Sequence, residues 1–225
     1  SANATVPNLA LAAGKTGTVY VMNCAKLGGL TSNNAGAVQT FTATSSGCGS
    51  GPGQHNCYEI HSPALWSRPG VGSMLYVWAY GDVLRVWDFN DTANLFQPDP
   101  NQGAITVPNY PGAGLAVSAN GNSGGIVWAI VPASGSTPAQ GALYAFDATN
   151  VSTPLWMSTD YWFATKFTIP TIANGKVYVP TSNSPPSTSP KYQPLLRVYG
   201  LCGTCAQVSP VSRFQTGPQL QAAKH

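Results

Sequence analysis

The sequence predicts an all-β protein built from repeated four-stranded antiparallel units, and three observations carry that expectation. Only 8% of its 225 residues are Asp, Glu, Lys or Arg, so the Glu- and Lys-rich faces of surface helices have little to be made from. Six Trp, ten Tyr and seven Phe are spread through short segments bounded by Gly, Pro and Asn, the pattern of many-stranded β proteins. A strand pattern also recurs about every fifty residues, the period of a repeat architecture.

The recurring strand is Thr18-Val-Tyr-Val-Met22, then Met74-Leu-Tyr-Val-Trp78, Gly125-Ile-Val-Trp-Ala129 and Lys176-Val-Tyr-Val-Pro180. Three copies are followed by a second related strand: Val83 to Phe89, Ala142 to Ala148 and Leu195 to Leu201. A segment precedes the first strand (Glu59 to Trp66, Leu115 to Asn120, Phe167 to Ala173), and in two units another follows the second (Leu95 to Pro98, Pro154 to Ser158). Four-stranded units at this period predict β-propeller blades, because one small sheet cannot cover both its apolar faces and must stack on neighbours. The count is one partial unit (9–45), two full ones (57–105 and 112–160) and a shortened one (166–201). That is about three and a half blades, a partial ring or one completed by another chain. Residues 1–13 are read as an N-terminal extension, 14–201 as the blades and 202–225 as a tail.

Alternation along the second strand separates a small face from a bulky one. Leu84, Val86 and Asp88 correspond to Leu143, Ala145 and Asp147, and to Leu196, Val198 and Gly200; Arg85/Trp87/Phe89, Tyr144/Phe146 and Arg197/Tyr199 lie opposite. Facing sheets then interdigitate large against small, each fully buried aromatic contributing roughly 4–6 kcal/mol of gross transfer energy. Trp66, Trp87, Trp128 and Trp156 are accordingly expected in the core.

These residues resemble the pyrroloquinoline-quinone-like (quinoprotein-type) β-propellers over roughly residues 14–201. The strongest stretch, Gly141 to Trp156, is similar to the family's blade motif A-x-D-x-x-T-G-x-x-x-W. Ala145, Asp147 and Trp156 match it, with one extra residue before the Trp and Asn150-Val151 where Thr-Gly is usual. The resemblance implies that Trp156 docks on a neighbouring blade and that Asp147, with Asp88 at the matching position, orders a turn. The Ala173-Asn-Gly-Lys176 segment fits a tight hairpin, since Asn-Gly accepts positive φ at both central positions. For enzymes of the family the resemblance implies a quinone (PQQ) at the ring centre beside bridged adjacent cysteines, calcium held by carboxylates and amides, and an Asp base. This chain has no Cys-Cys pair and seven acidic residues, so neither PQQ nor calcium is firmly implied and the cofactor site is expected outside the chain, if anywhere.

Glu59 and His61, two apart beside an alternating segment, are the weak catalytic candidates: a carboxylate and an imidazole facing one side could share a site. The plainer reading is a hydrogen-bonded polar pair, because no nucleophile elbow accompanies them. Three dispersed His form no metal pattern. Cys48 and Cys57 flank a Gly-rich loop and are disulfide candidates, as are Cys202 and Cys205, whose C-x-x-C spacing lacks a redox context. Cys24 is either buried as a small apolar residue or paired with a C-terminal cysteine. Gly121 to Gly125 reads as a turn between strands, not a phosphate loop.

The ten Lys and Arg are scattered, which excludes a nucleic-acid footprint, and no apolar run approaches the ~20 residues of a membrane span. Five cysteines with few charges point to an extracytoplasmic, secreted or periplasmic protein. The expectation is a non-catalytic scaffold or protein-binding module whose partner or second copy completes the propeller. The rival is part of a quinone-dependent alcohol or sugar dehydrogenase. A carbohydrate-binding or lyase propeller is the third reading, with Tyr110 and Trp162 as candidate exposed aromatics.

Overall fold

The computed structural model describes residues 8–29, 34–44, 59–106, 110–133, 140–183 and 194–200. Among them the protein is all-β, with no helix, and its strands form four antiparallel sheets in chain order. Sheet 1 has the order β1 (Leu9–Ala13), β2 (Thr18–Asn23), β3 (Gln39–Thr42). Sheet 2 runs β4 (Ala64–Trp66), β5 (Met74–Val77), β6 (Val83–Asn90), whose far edge is shared by β7 (Leu95–Phe96) and β8 (Asn101–Thr106). Sheet 3 is the meander β9 (Gly114–Asn120), β10 (Ser123–Pro132), β11 (Gly141–Asp147), β12 (Asn150–Met157). In sheet 4, β13 (Phe163–Ala164) and β14 (Thr171–Ala173) pair with opposite ends of β15 (Lys176–Ser182), and β16 (Pro194–Gly200) lies on its other side. Every repeat strand expected from the sequence coincides with one of these elements, with Trp78 and Ala148 one residue past the ends of β5 and β11 and Leu201 outside the described residues. The hairpin at Asn174-Gly175 has φ of 50° and 69°, the two positive values that an Asn-Gly turn supplies without a Cβ clash at the glycine.

The four sheets stack face to face in order, with a separate apolar core at each of the three junctions. Val19, Val21 and Ala43 of the first unit meet Leu75, Val77, Trp87 and Phe96 of sheet 2. On the opposite side of sheet 2, Tyr76, Trp78, Leu84 and Val86 meet Val127, Ala129, Phe146 and Val151 of sheet 3. Ile130 and Leu143 of sheet 3 then meet Trp162, Val177 and Val179. On the second repeat strand the small-against-bulky rule holds: Leu84 and Val86 face forward onto bulky Phe146, while Trp87 faces back. Trp78 meets the stacked rings of Tyr144 and Phe146 at 6.2 and 5.7 Å, edge-to-face contacts that add to the area term.

The first repeat strand does not face the same way in every unit. Val19 and Val21 point forward to sheet 2, as the matching Trp128 points forward to sheet 4, whereas Leu75 and Val77, and Val177 and Val179, point back to the preceding sheet. A one-residue change of register turns every side chain to the other face. Here the register is set by Leu9, Leu11 and Ala13 on β1, which pack against the same core, leaving Thr18, Tyr20, Thr40 and Thr42 on the outer side of sheet 1.

Two of the expected tryptophan and aspartate roles change. Trp66 and Trp87 are buried and Trp128 is partly so, but Trp156 remains 43% exposed. It lies on the outermost strand of sheet 3 and reaches the next sheet only through the edge of Tyr199, 5.6 Å away. Asp147 orders its turn as expected, accepting from the Thr149 amide and hydroxyl at 2.7 Å each. These bonds favour the charged form and lower its pKa,. The matching turn of sheet 2 is instead held by Asn90, which accepts from the amides of Thr92 and Ala93 at 2.9 Å. Asp88 lies 3.9 Å from Arg68. Trp162, offered above as an exposed aromatic, is 1% exposed and fills the third core. Cys24 is an exposed free thiol, so it is not buried as a small apolar residue; its expected partners Cys202 and Cys205, like Cys48 and Cys57, lie outside the described residues.

The inner edges of successive sheets touch. Ser62, just before β4, forms a parallel bridge with Gly114 at the start of β9, and β9 also lies beside β14. A Cβ on Gly114 would overlap the backbone carbonyl of Thr168, which no rotamer change relieves. Gly114→Ala should therefore cost about 2–3 kcal/mol in urea unfolding, the upper range for overpacking. Gly14→Ala, with no atom within 4 Å of the new methyl, should change stability by less than about 0.5 kcal/mol. Equal effects of the two substitutions would contradict this packing.

Candidate functional site

The loops beside β2, β4, β5, β9 and β14 converge at one end of the stack, and residues from all four sheets contribute polar or aromatic groups there. The turn between β1 and β2 brings Lys15, whose ammonium lies 3.5 Å from the Glu59 carboxylate. Irregular backbone ahead of β4 brings Glu59 and His61, and the turn after β5 brings Tyr80, whose amide donates to the Glu59 carbonyl at 3.2 Å. Tyr110 precedes β9, and Lys166, Phe167 and Thr168 fill the excursion between β13 and β14.

His61 is fixed from one side only. It bonds to the Thr168 backbone, while its Nε2 is buried without a hydrogen-bond partner. The donating nitrogen is thus Nδ1, and Nε2 carries the lone pair. Burial holds the imidazole below its ordinary value of 6.5, against the opposing pulls of the Thr168 bond and the Glu59 charge. His61 is therefore neutral at pH 7, an acceptor at Nε2.

The rings form a chain of steep contacts. Phe167 meets His61 at 5.2 Å and 68° and Tyr110 at 6.0 Å and 90°; Tyr110 meets Tyr80 at 6.3 Å and 76°. The Lys166 ammonium sits 4.8 Å above the Tyr110 ring, a cation–π contact. Phe167 is 56% exposed and holds φ at 62°, a left-handed conformation that costs a bulky residue about 1–2 kcal/mol. Its neighbour explains why the strain persists. Thr168 is tied by its hydroxyl bond to the Thr165 carbonyl at 2.9 Å and by close approach to Gly114.

The candidates Glu59 and His61 are thus brought together, but ahead of the strand, not along it, and Glu59 is engaged by Lys15. Lys15, Tyr80, Lys166 and Phe167 were not singled out from sequence. One signal was present: a ring lies three or four residues ahead of each inner strand, His61 before Ala64, Tyr110 before Gly114 and Phe167 before Thr171, visible only if loops are aligned along with strands.

These residues do not fit calcium or a planar quinone. One carboxylate, already ion-paired, is a poor donor set for a cation that takes six to eight oxygens, and rings inclined at 68–90° leave no parallel-walled slot for a flat cofactor. Among the described residues no three His, Cys, Asp or Glu come together.

Two other polar clusters are paired internally, the second leaving Arg197 Nε without a partner. Asp82 and Arg85, both buried, form a bidentate pair with two 2.9 Å bonds. Asp160 accepts from Arg197 at 2.5 Å and from Tyr199 at 3.0 Å. Burial first, then the Asp160 charge, raises the Tyr199 phenol well above its ordinary range. This cluster ties the chain after β12 to β16. No helix among the described residues is long and apolar enough to cross a membrane. Neither a protein family nor a curated protein matches the chain.

Because the folded pKa of His61 is depressed, its contribution to stability is present above pH 6.5 and declines as pH falls from that value through the lower folded pKa,. The melting temperature should drop on acidification from pH 7, and His61→Gln should flatten the profile in this window. An NMR titration should place the His61 midpoint below 6.5; a midpoint at or above it would show that burial does not dominate.

Proposed function

We propose that the chain is a non-catalytic, extracytoplasmic β-propeller scaffold or protein-binding module, its four sheets acting as consecutive blades of a ring that a partner or a second copy completes. The observation that carries this reading is the face left over at the end of the stack. Tyr178, Pro180, Leu196 and Val198 share the outer face of sheet 4 and belong to none of the three cores. They continue the small forward faces of sheets 2 and 3, which each receive the bulky backward face of the next sheet. Parallel contact between inner strands at Ser62 and Gly114 supports a radial arrangement, since only like-directed inner strands meet side by side around an axis. Few charges and five cysteines favour an oxidising compartment. The scaffold reading is also supported by the pairing of Glu59, the carboxylate of the described convergent loops, with Lys15.

The test is the assembly state of the full chain. Analytical ultracentrifugation should give a mass above the 23.4 kDa of one chain, and Leu196→Asp with Val198→Asp should return it to the monomer by placing charges in an apolar junction. A monodisperse 23.4 kDa monomer whose melting temperature is indifferent to the double substitution would overturn the reading.

A further inference from the structure

We propose that the convergent loops at the inner-strand ends bind a saccharide carrying a carboxylate, a hexuronate, with its ring against Phe167 and Tyr110. This goes beyond the scaffold reading and stands apart from it, since every group involved belongs to this chain whether or not a ring is closed.

Four observations select the ligand. Phe167 is an exposed ring, 56% accessible, held in a left-handed backbone conformation with φ of 62°. A residue of this size is kept at such φ only where the surroundings over-determine it, and such outliers gather at ligand sites. Its neighbours Tyr110 and His61 stand at 90° and 68° to it, so the rings form a corner, not a slot. A corner suits a puckered ring whose C–H face lies on one aromatic while its edge meets another, and does not suit a flat heterocycle. The third observation is the orphaned Nε2 of His61. Its lone pair requires a donor, and a sugar hydroxyl supplies one. No described side chain supplies that donor.

The charge follows from the lysines. Lys15 is matched by Glu59 at 3.5 Å. Lys166 has no carboxylate within ion-pair distance among the described residues, and its ammonium rests over Tyr110 at 4.8 Å, adjacent in sequence to Phe167. A carboxylate on the ligand would complete that cation with a charge-assisted hydrogen bond, while a neutral sugar would leave it unmatched. Engagement of Nε2 takes a rotation of the exposed Phe167 side chain off the imidazole, after which the sugar ring packs in the corner that Phe167 makes with Tyr110 and its hydroxyl takes the place beside His61.

An array of glucuronate- and galacturonate-terminated saccharides, together with their methyl esters, tests this with the full chain. The acids should bind and the methyl esters should bind at least tenfold more weakly in titration calorimetry. Phe167→Ala should weaken the bound acid at least tenfold, and Lys166→Met should remove the preference for acid over ester. Phe167→Gly relieves the backbone strain, so a folded variant with unchanged or raised melting temperature and lost binding would separate the ligand role from a structural one. Absence of binding to every uronate, equal binding of acid and ester, or binding unaffected by Phe167→Gly would each overturn the proposal. The first outcome would leave the ultracentrifugation result, and with it the scaffold reading, untouched.

Discussion

Each of the two middle sheets is apolar on both sides. Sheet 2 has Leu75, Val77 and Trp87 on one face and Tyr76, Trp78, Leu84 and Val86 on the other, all nearly inaccessible to water. At about 25 cal/mol per Å² of apolar surface, no arrangement that leaves one of those faces wet could be stable. Such a sheet must therefore be sandwiched. That requirement produces the serial stack, the three separate cores and the ordered succession of sheets along the chain. It also gives the stack a direction, because at the two later junctions the small face of one second strand receives the bulky face of the next.

The same stacking brings the inner edges of the sheets together, and the rest of the chain's chemistry follows from that contact. Gly114 lets β9 approach Thr168 more closely than any side chain would allow. Thr168 in turn receives His61 through its backbone, and Phe167 is carried into an exposed, strained position as a consequence. Many buried polar groups are paired, as in Asp82 with Arg85 and Tyr76 with the Ala148 carbonyl. The His61 nitrogen, like Trp162 Nε1 and Arg197 Nε, is buried without a partner, and it differs from those two donors in being an acceptor,.

Much of the fold was legible in the sequence because strand identity is a local property. The repeated Val-Tyr-Val segments, the turn at Asn174-Gly175 and the side-chain bonds of Asp147 depend on residues a few positions apart. Tryptophan fates were less legible. Trp87 and Trp156 look alike in sequence, yet one sits on a central strand between two sheets and the other on an outer strand with a single neighbour, and only strand order separates them. The forward facing of Val19 and Val21, opposite to that of Leu75 and Val77, was hidden for a related reason, since the register of β2 answers to β1 and to the side on which a neighbouring sheet lies. At the candidate site, Glu59 and His61 stood out by type. Phe167 and Lys166 did not, because an aromatic and a cation in a loop carry no signal until the three loops ahead of β4, β9 and β14 are placed beside one another.

Composition and alternation alone therefore determined that this chain makes β-sheets, where most of their strands lie and which second-strand faces are bulky, since these follow from backbone preference and a period of two. Tertiary structure decided which face meets which neighbour, which tryptophans are covered and which rings surround His61. Those outcomes depend on contacts between residues about fifty or more positions apart, whose geometry is set by close packing between sheets and not by the local chain.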